Sequence, residues 1–241
     1  MQLVDDEPEP EGVKIILQLP VGFRVVPLND LHHALRLIEG AFAELLDRLA
    51  YEPGRNNKLR LMTDYFRSKK MSFKPVVIND LAAVQQAFFG GRCDVFTTDI
   101  SGLASTRQKA DKPDDYQILP EAISKEPLGP MVRHGDDQWF DIVKWTLFAL
   151  ITAEELGITQ KNVDEMAKST KPEMKRVFGT DGNLGEQLGL TKDWVSRIVK
   201  AVGNYGETFD RNVGAGSKLG IARGINALWN KGGIQYAPPI R

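Results

Sequence analysis

The run Gly90-Gly91-Arg92-Cys93-Asp94-Val95-Phe96-Thr97-Thr98-Asp99-Ile100-Ser101 gathers a carboxylate and several hydroxyl side chains within a few residues of one another. Gly90 and Gly91 can end a helix cheaply because glycine tolerates positive φ. Asp94 to Thr97 is a β-branched and aromatic run too short to be anything but a strand, which leaves Asp99 just past its carboxyl end. In an open parallel α/β sheet ligands bind at that edge, where the next helix offers its N-terminus. A carboxylate there can accept charge-assisted hydrogen bonds from a cationic group such as the α-ammonium of an amino acid. Thr97, Thr98 and Ser101 would then line the same pocket. The competing reading makes Asp99 the N-cap of a helix over Ser101 to Ala110, a position that Asp commonly fills. Residue types and spacing leave both readings open.

Other chemistry-bearing residues point to less. His32 and His33 are adjacent on a predicted helix, so they face different directions and have no carboxylate at helical spacing to complete a metal site. His134 has no nearby Ser or Cys nucleophile, which removes the basis for a catalytic triad. Asp111-Lys112-Pro113-Asp114-Asp115 is turn chemistry without the Gly-punctuated loop and the roughly 6 to 8 oxygen ligands that calcium requires. The Gly-rich runs Gly179 to Gly189 and Gly214 to Gly220 lack the spacing of a dinucleotide turn and the Gly-Lys-Ser/Thr end of a phosphate loop, so they read as linkers between helices. The single cysteine, Cys93, reads as a small buried apolar residue of its strand. No cofactor and no metal are expected.

The elements that must position Asp99 follow from periodicity. At 241 residues, 42% apolar and 26% charged, the chain has the composition of a globular protein with a sizeable core. Its formal net charge of −1 gives no electrostatic footprint for nucleic acid or a membrane surface. Val13 to Leu19 reads as a strand, Pro20-Val21-Gly22 as a turn and Phe23 to Leu28 as an extended segment, and Asn29-Asp30 can cap an amphipathic helix running from Leu31 to Leu49. A helix over Leu59 to Lys69 precedes a strand at Val76 to Ile78. Next come an Asp80-capped helix with Leu81, Val84, Ala87 and Phe88 inward, the Asp94 to Thr97 strand, the following helix, and a strand at Tyr116 to Leu119. Alternation of this kind demands a parallel sheet with right-handed crossovers.

Ile123 to Arg133 is extended and punctuated by Pro and Gly. Beyond it the chain is almost wholly helical. Asp136 or Asp137 caps a long helix with Trp139, Ile142, Val143, Thr146, Ala149, Leu150 and Ala153 on one side, ended by Gly157. Thr191 opens another helix carrying Trp194, Ile198, Val202, Tyr205 and Phe209. Both stripes read as core.

The strings Asp64-Tyr65-Phe66-Arg67, Gly91-Arg92-Cys93-Asp94, Thr97-Thr98-Asp99, Ile123-Ser124-Lys125-Glu126-Pro127-Leu128-Gly129-Pro130, the run from Gly135 to Ala149, and Gly232-Gly233-Ile234-Gln235-Tyr236-Ala237-Pro238-Pro239 resemble the general amino-acid-binding proteins. These are periplasmic receptors of polar amino-acid ABC uptake systems, within the type II solute-binding proteins. The resemblance covers about Leu59 to Arg241. It implies an α/β fold, a type II periplasmic-binding-protein-like lobe with a parallel βα repeat plus a helical C-terminal region. The expected organisation is an N-terminal α/β segment at 1–57 whose origin the resemblance does not account for, the second solute-binding lobe at 58–130, and the hinge return with the helical region at 131–241. Gly129, between two prolines, suits a hinge.

The implied function is to bind free L-amino acids for import, with the ABC transporter's membrane permease subunits as partners and without nucleic acid, membrane insertion, signalling or catalysis. By resemblance Asp99 holds the ammonium, with Thr98, Thr97 and Ser101 beside it. Most of the family's first lobe, its carboxylate-binding Arg included, has no counterpart here, and Pro53-Gly54-Arg55-Asn56 stands where a Thr-Gly-Thr turn is usual. Two other readings follow from those departures: a remnant or interaction module that binds nothing, and a dehydratase-like enzyme on the same fold, for which Asp99 lacks an acid-base partner. The family implies the periplasm. The opening Met1 to Glu11 is acidic and Pro-containing, unlike a secretory signal, so a chain starting at Met1 is expected to stay in the cytoplasm.

Overall fold

The computed structural model describes residues 14–17, 49–51, 57–78, 80–123 and 128–240, with side chains from Met62 onward. It divides into two compact units, Met1–Pro127 and Leu128–Arg241. The turn expected at 20–22, the extended segment at 23–28, the helix at 31–48 with His32 and His33, the junction at 53–56 and residues 124–127 of the crossing passage lie outside the described residues.

The first unit alternates strands and helices. Its elements are β1 (Lys14–Leu17), β2 (Leu49–Tyr51), α1 (Asn57–Ser68), β3 (Pro75–Val77), α2 (Leu81–Phe89), β4 (Val95–Thr97), α3 (Ile100–Arg107) and β5 (Tyr116–Leu119). Every ladder among them is parallel, as the alternation requires. The single sheet expected is instead two hydrogen-bonded groups, β3-β2-β4 and β1-β5, because β5 pairs with β1 rather than with β3 or β4. Tyr51 pairs with both Val77 and Thr97, so the carboxyl ends of β2, β3 and β4 share one edge. Leu49, the last residue of the expected helical stripe, instead opens β2. The Leu-Ala-Tyr run supplies the central strand that β3 and β4 both need, and tertiary pairing overrides local helical period there.

Local chemistry explains the helix ends. Asp80 caps α2, accepting a hydrogen bond from Ala83 N at 2.8 Å. Val84 and Phe88 of that helix are fully buried and pack with Cys93, Phe96, Leu103 and Leu119. Leu81, expected inward, is 41% exposed, because the first turn overhangs the edge of the core. A smaller cluster joins Met62 and Phe66 of α1 to Val95.

The second unit is helical: α4 (Asp137–Glu155), α5 (Val163–Met166), α6 (Pro172–Val177), α7 (Leu184–Gln187), α8 (Trp194–Val202) and α9 (Tyr205–Asn212). Asp136 caps α4 by accepting from Trp139 N at 3.1 Å. The helix expected to run on from Thr191 is two helices. Gly203, at φ 78°, breaks it, and Asn204 and Glu207 close a reciprocal capping box that starts α9.

One cluster packs Ala149 and Ala153 of α4 against Ile158, Val163, Met174, Val177, Trp194, Val195 and Val199. Another joins Ile151 to Leu228 and Ala237. Trp139, placed on the core stripe by its period, is 51% exposed, since it sits in the first turn beyond the reach of either cluster.

Candidate functional site at the carboxyl end of β4

Phe96 is fully buried and Thr97 is 8% exposed, so β4 runs through the interior and delivers Thr98 and Asp99 to its end. Asp99 takes an extended conformation (φ −66°, ψ 153°) at the N-cap position of α3, and its carbonyl accepts the first helical hydrogen bond, from Leu103 N at 2.9 Å. Its side chain makes no capping bond. Oδ1 is buried, and among the described residues it has no hydrogen-bond partner.

Asp99 therefore occupies the cap position without doing the capping. Buried carboxylate oxygens are costly unless paired.

Ser101 lies in the first turn of α3 and is half-buried, as is Thr98. A Cβ at Gly102 would come 3.0 Å from Thr98 Cγ2, so the absence of a side chain at Gly102 lets Thr98 lie flat against the helix. The structure thus brings Thr97, Thr98, Asp99 and Ser101 to one strand-to-helix turn.

Sequence reasoning missed the residues that hold this turn. Thr106, 1% exposed, donates from Oγ1 to Gly102 O at 2.8 Å and accepts from Gln85 Nε2 at 2.9 Å. Lys109 Nζ donates to Gln85 Oε1 at 3.2 Å. This chain of bonds fastens α3 to α2. Buried Thr and Gln at interior helix positions were the available signal, legible only once the two helices were known to be neighbours.

Glu121, just after β5, was also missed. Its Oε2 is buried without a partner among the described residues, and its charge adds to burial, the larger cause, in holding the Tyr65 hydroxyl above its ordinary pKa.

A cavity of about 350 Å³ in this unit lies elsewhere, at the amino end of β5 between Phe89, Lys109, Asp111, Asp115 and Tyr116. Among the described residues no cluster of His, Cys, Asp and Glu could hold a metal ion, and no helix is long and apolar enough to cross a membrane.

Comparison with known proteins decides the kinship. The general L-amino acid-binding periplasmic protein AapJ of Rhizobium johnstonii is 58% identical over 195 residues, which are 80% of this chain and 57% of the relative. The chain is a homologue of the periplasmic amino-acid-binding proteins of ABC transporters. The glutamate/glutamine/aspartate/asparagine-binding protein BztA of Rhodobacter capsulatus is 51% identical over 181 residues, 75% of this chain and 54% of the relative.

Among solved structures, an ABC transporter periplasmic binding protein from Brucella ovis with glutathione bound superposes with a TM-score of 0.76 at 50% identity. The match covers 86% of this chain and 65% of that one. The α/β fold of a periplasmic binding protein is thereby shared. No family model matches the chain. The chain spans little more than half the length of the curated relatives it matches.

Proposed function

We propose that this chain carries the ammonium-binding wall of an amino-acid receptor that serves an ABC uptake system. The observation that carries the reading is the buried Oδ1 of Asp99, which has no hydrogen-bond partner among the described residues at the carboxyl end of β4. A cation fits that oxygen, and the α-ammonium of a free amino acid brings several N–H donors to share among Asp99, Thr97, Thr98 and Ser101. The relatives' names, which specify binding rather than conversion, support a role without catalysis. The first of those names also supports the periplasm as the place of action, and the Brucella protein's name supports service to an ABC transporter, whose permease subunits are the proposed partners.

The chain is organised on this reading as an N-terminal segment at 1–57, the ligand lobe at 58–130 and a hinge return with helices at 131–241. The bound glutathione of the Brucella protein is consistent with the same recognition, because a γ-glutamyl group also presents an α-ammonium and an α-carboxylate.

The test fuses the part of the Rhizobium relative that this chain does not match to Leu59 and titrates the product calorimetrically with a panel of L-amino acids and glutathione. Saturable heat from at least one of them, lost in Asp99→Asn while melting is unchanged, is the expected result. Equal affinities with and without the substitution would move the ammonium site elsewhere, and absence of any binding would favour the reading of a module that binds no amino acid.

A further inference from the structure

Gly102 lies in the first turn of α3 and is not among the glycines that hold a positive φ. Its backbone conformation is therefore one that any L-residue adopts. Inside a helix alanine is favoured over glycine, so glycine at this position needs another reason than its dihedral angles.

The reason stands at Thr98. A Cβ built on Gly102 would lie 3.0 Å from Thr98 Cγ2 and 3.5 Å from Thr98 Oγ1. The first distance is well inside the optimal separation of two carbon atoms, and the second is ordinary contact. Gly102 thus makes room for the Thr98 methyl rather than for its hydroxyl. Thr98 is β-branched and stiff at χ1, which leaves it few ways to step aside. The other side of Gly102 is tethered: its carbonyl accepts from Thr106 Oγ1 at 2.8 Å, and Thr106 Oγ1 accepts from Gln85 Nε2 at 2.9 Å. Both of those side chains are buried. The same residue therefore meets the end of β4 through its bare Cα and α2 through its carbonyl.

We propose that Gly102 is a positioning residue of the site at the end of β4: its bare Cα seats Thr98 against α3, and the tether through Thr106 to Gln85 holds that seat in place, so that Thr98 Oγ1 and the Asp99 carboxylate stand together for an ammonium group. The proposal rests on the ammonium reading and adds to it a residue that touches no ligand. Its consequence is that stability and affinity part company at position 102. Alanine there favours the helix and spoils the site.

Melting and titration of the full 241-residue chain separate the two effects. The probe is L-glutamate, one of the amino acids in the name of the Rhodobacter relative, and its binding is followed by the amide resonances of the α3 turn, which register weak association. Gly102→Ala should melt no lower than the parent chain and bind the probe about fivefold more weakly, the factor that one misplaced neutral hydrogen bond is worth. Thr98→Ser supplies the cross-check, because it keeps the hydroxyl and lacks the Cγ2 methyl. Adding Gly102→Ala to Thr98→Ser should change affinity less than about twofold. If Gly102→Ala fails to fold, the test passes to Thr106: Thr106→Val should weaken binding and Thr106→Ser, which keeps the hydroxyl, should not, and equal binding by those two overturns the proposal. Equal affinity of the parent chain and Gly102→Ala also overturns it while leaving the ammonium reading in place, as does a loss of affinity that Thr98→Ser does not relieve. A parent chain that does not respond to L-glutamate, or that responds no more than Asp99→Asn, overturns the ammonium reading and the proposal with it.

Discussion

Gln85 Nε2 lies 2.9 Å from Thr106 Oγ1 in a fully buried hydrogen bond that joins the helix before β4 to the helix after it. Thr106→Val keeps the shape but strands the Gln85 amide and removes the bond to Gly102 O. The expected cost is about 1 to 3 kcal/mol, the scale of a buried polar group left unsatisfied. Chemical denaturation of the variant measures it, and a loss below about 0.5 kcal/mol would mean that the network contributes nothing beyond packing.

Asp80 and Asp99 hold the same position at successive helices, yet only Asp80 bonds a backbone N–H. Asp80→Ala should therefore lose about 1 kcal/mol, the usual worth of an N-cap. Asp99→Ala should lose less, or gain, because no cap is given up and a buried oxygen is relieved. Thermal melts of the pair decide the point, and equal losses would return Asp99 to the role of a cap. In the fused receptor, Asp99→Asn should reduce amino-acid affinity by about 1.5 to 3 kcal/mol, as expected for a hydrogen bond to a charged group.

On the proposed reading, the chain carries one wall of a cleft. A zwitterion leaving water needs both its ammonium and its carboxylate paired. Calorimetry on the isolated chain should find binding no tighter than about millimolar, roughly 4 kcal/mol. Submicromolar affinity would show that residues 1–57 rebuild the missing wall.

In the second unit, Arg223 Nη2 sits 3.0 Å from Glu154 Oε2 with little exposure on either side, and its guanidinium packs over the rings of Tyr205 and Phe209 at 5.3 and 5.1 Å. Arg223→Met keeps the bulk and leaves Glu154 uncompensated. A loss of about 2 to 3 kcal/mol is expected, below the roughly 3 to 5 of a fully buried pair because some solvent reaches this one. An unchanged denaturation midpoint would show that the pair is merely tolerated.

Burial raises the Tyr205 pKa above its ordinary 10.0, Glu154 adds to the rise, and Arg223 opposes it. A raised folded value means that the folded state holds this proton more tightly. The stability it contributes is complete below the unfolded value and is lost as pH climbs through the folded one. Melting temperature should fall as pH rises above about 10, and less steeply in Tyr205→Phe. Tyr65 and Tyr116, also raised chiefly by burial, retain part of the slope. Identical alkaline profiles for the variant and the parent chain would exclude Tyr205 as a source.

The strand and helix order from α1 to β5 was legible because each signal is local: Asp80 before an apolar period, the Gly90-Gly91 stop, and short β-branched runs. The place of Asp99 at a strand's carboxyl end followed from the same order. Whether its carboxylate caps the helix did not, since that depends on whether its oxygens reach a backbone N–H of the first turn, and in the packed turn the side chain makes no capping bond. Leu49 as part of a central strand rather than a helix was decided by β3 and β4, residues far along the chain. Gly203 was in plain view, yet the break it makes depends on Asn204 and Glu207 reaching each other's backbone. Periodicity assigned the whole α4 stripe to a core. Tertiary structure buried Ala149 and Ala153 while leaving Trp139 half in water, because a period fixes which residues share a face and cannot say whether anything lies against it.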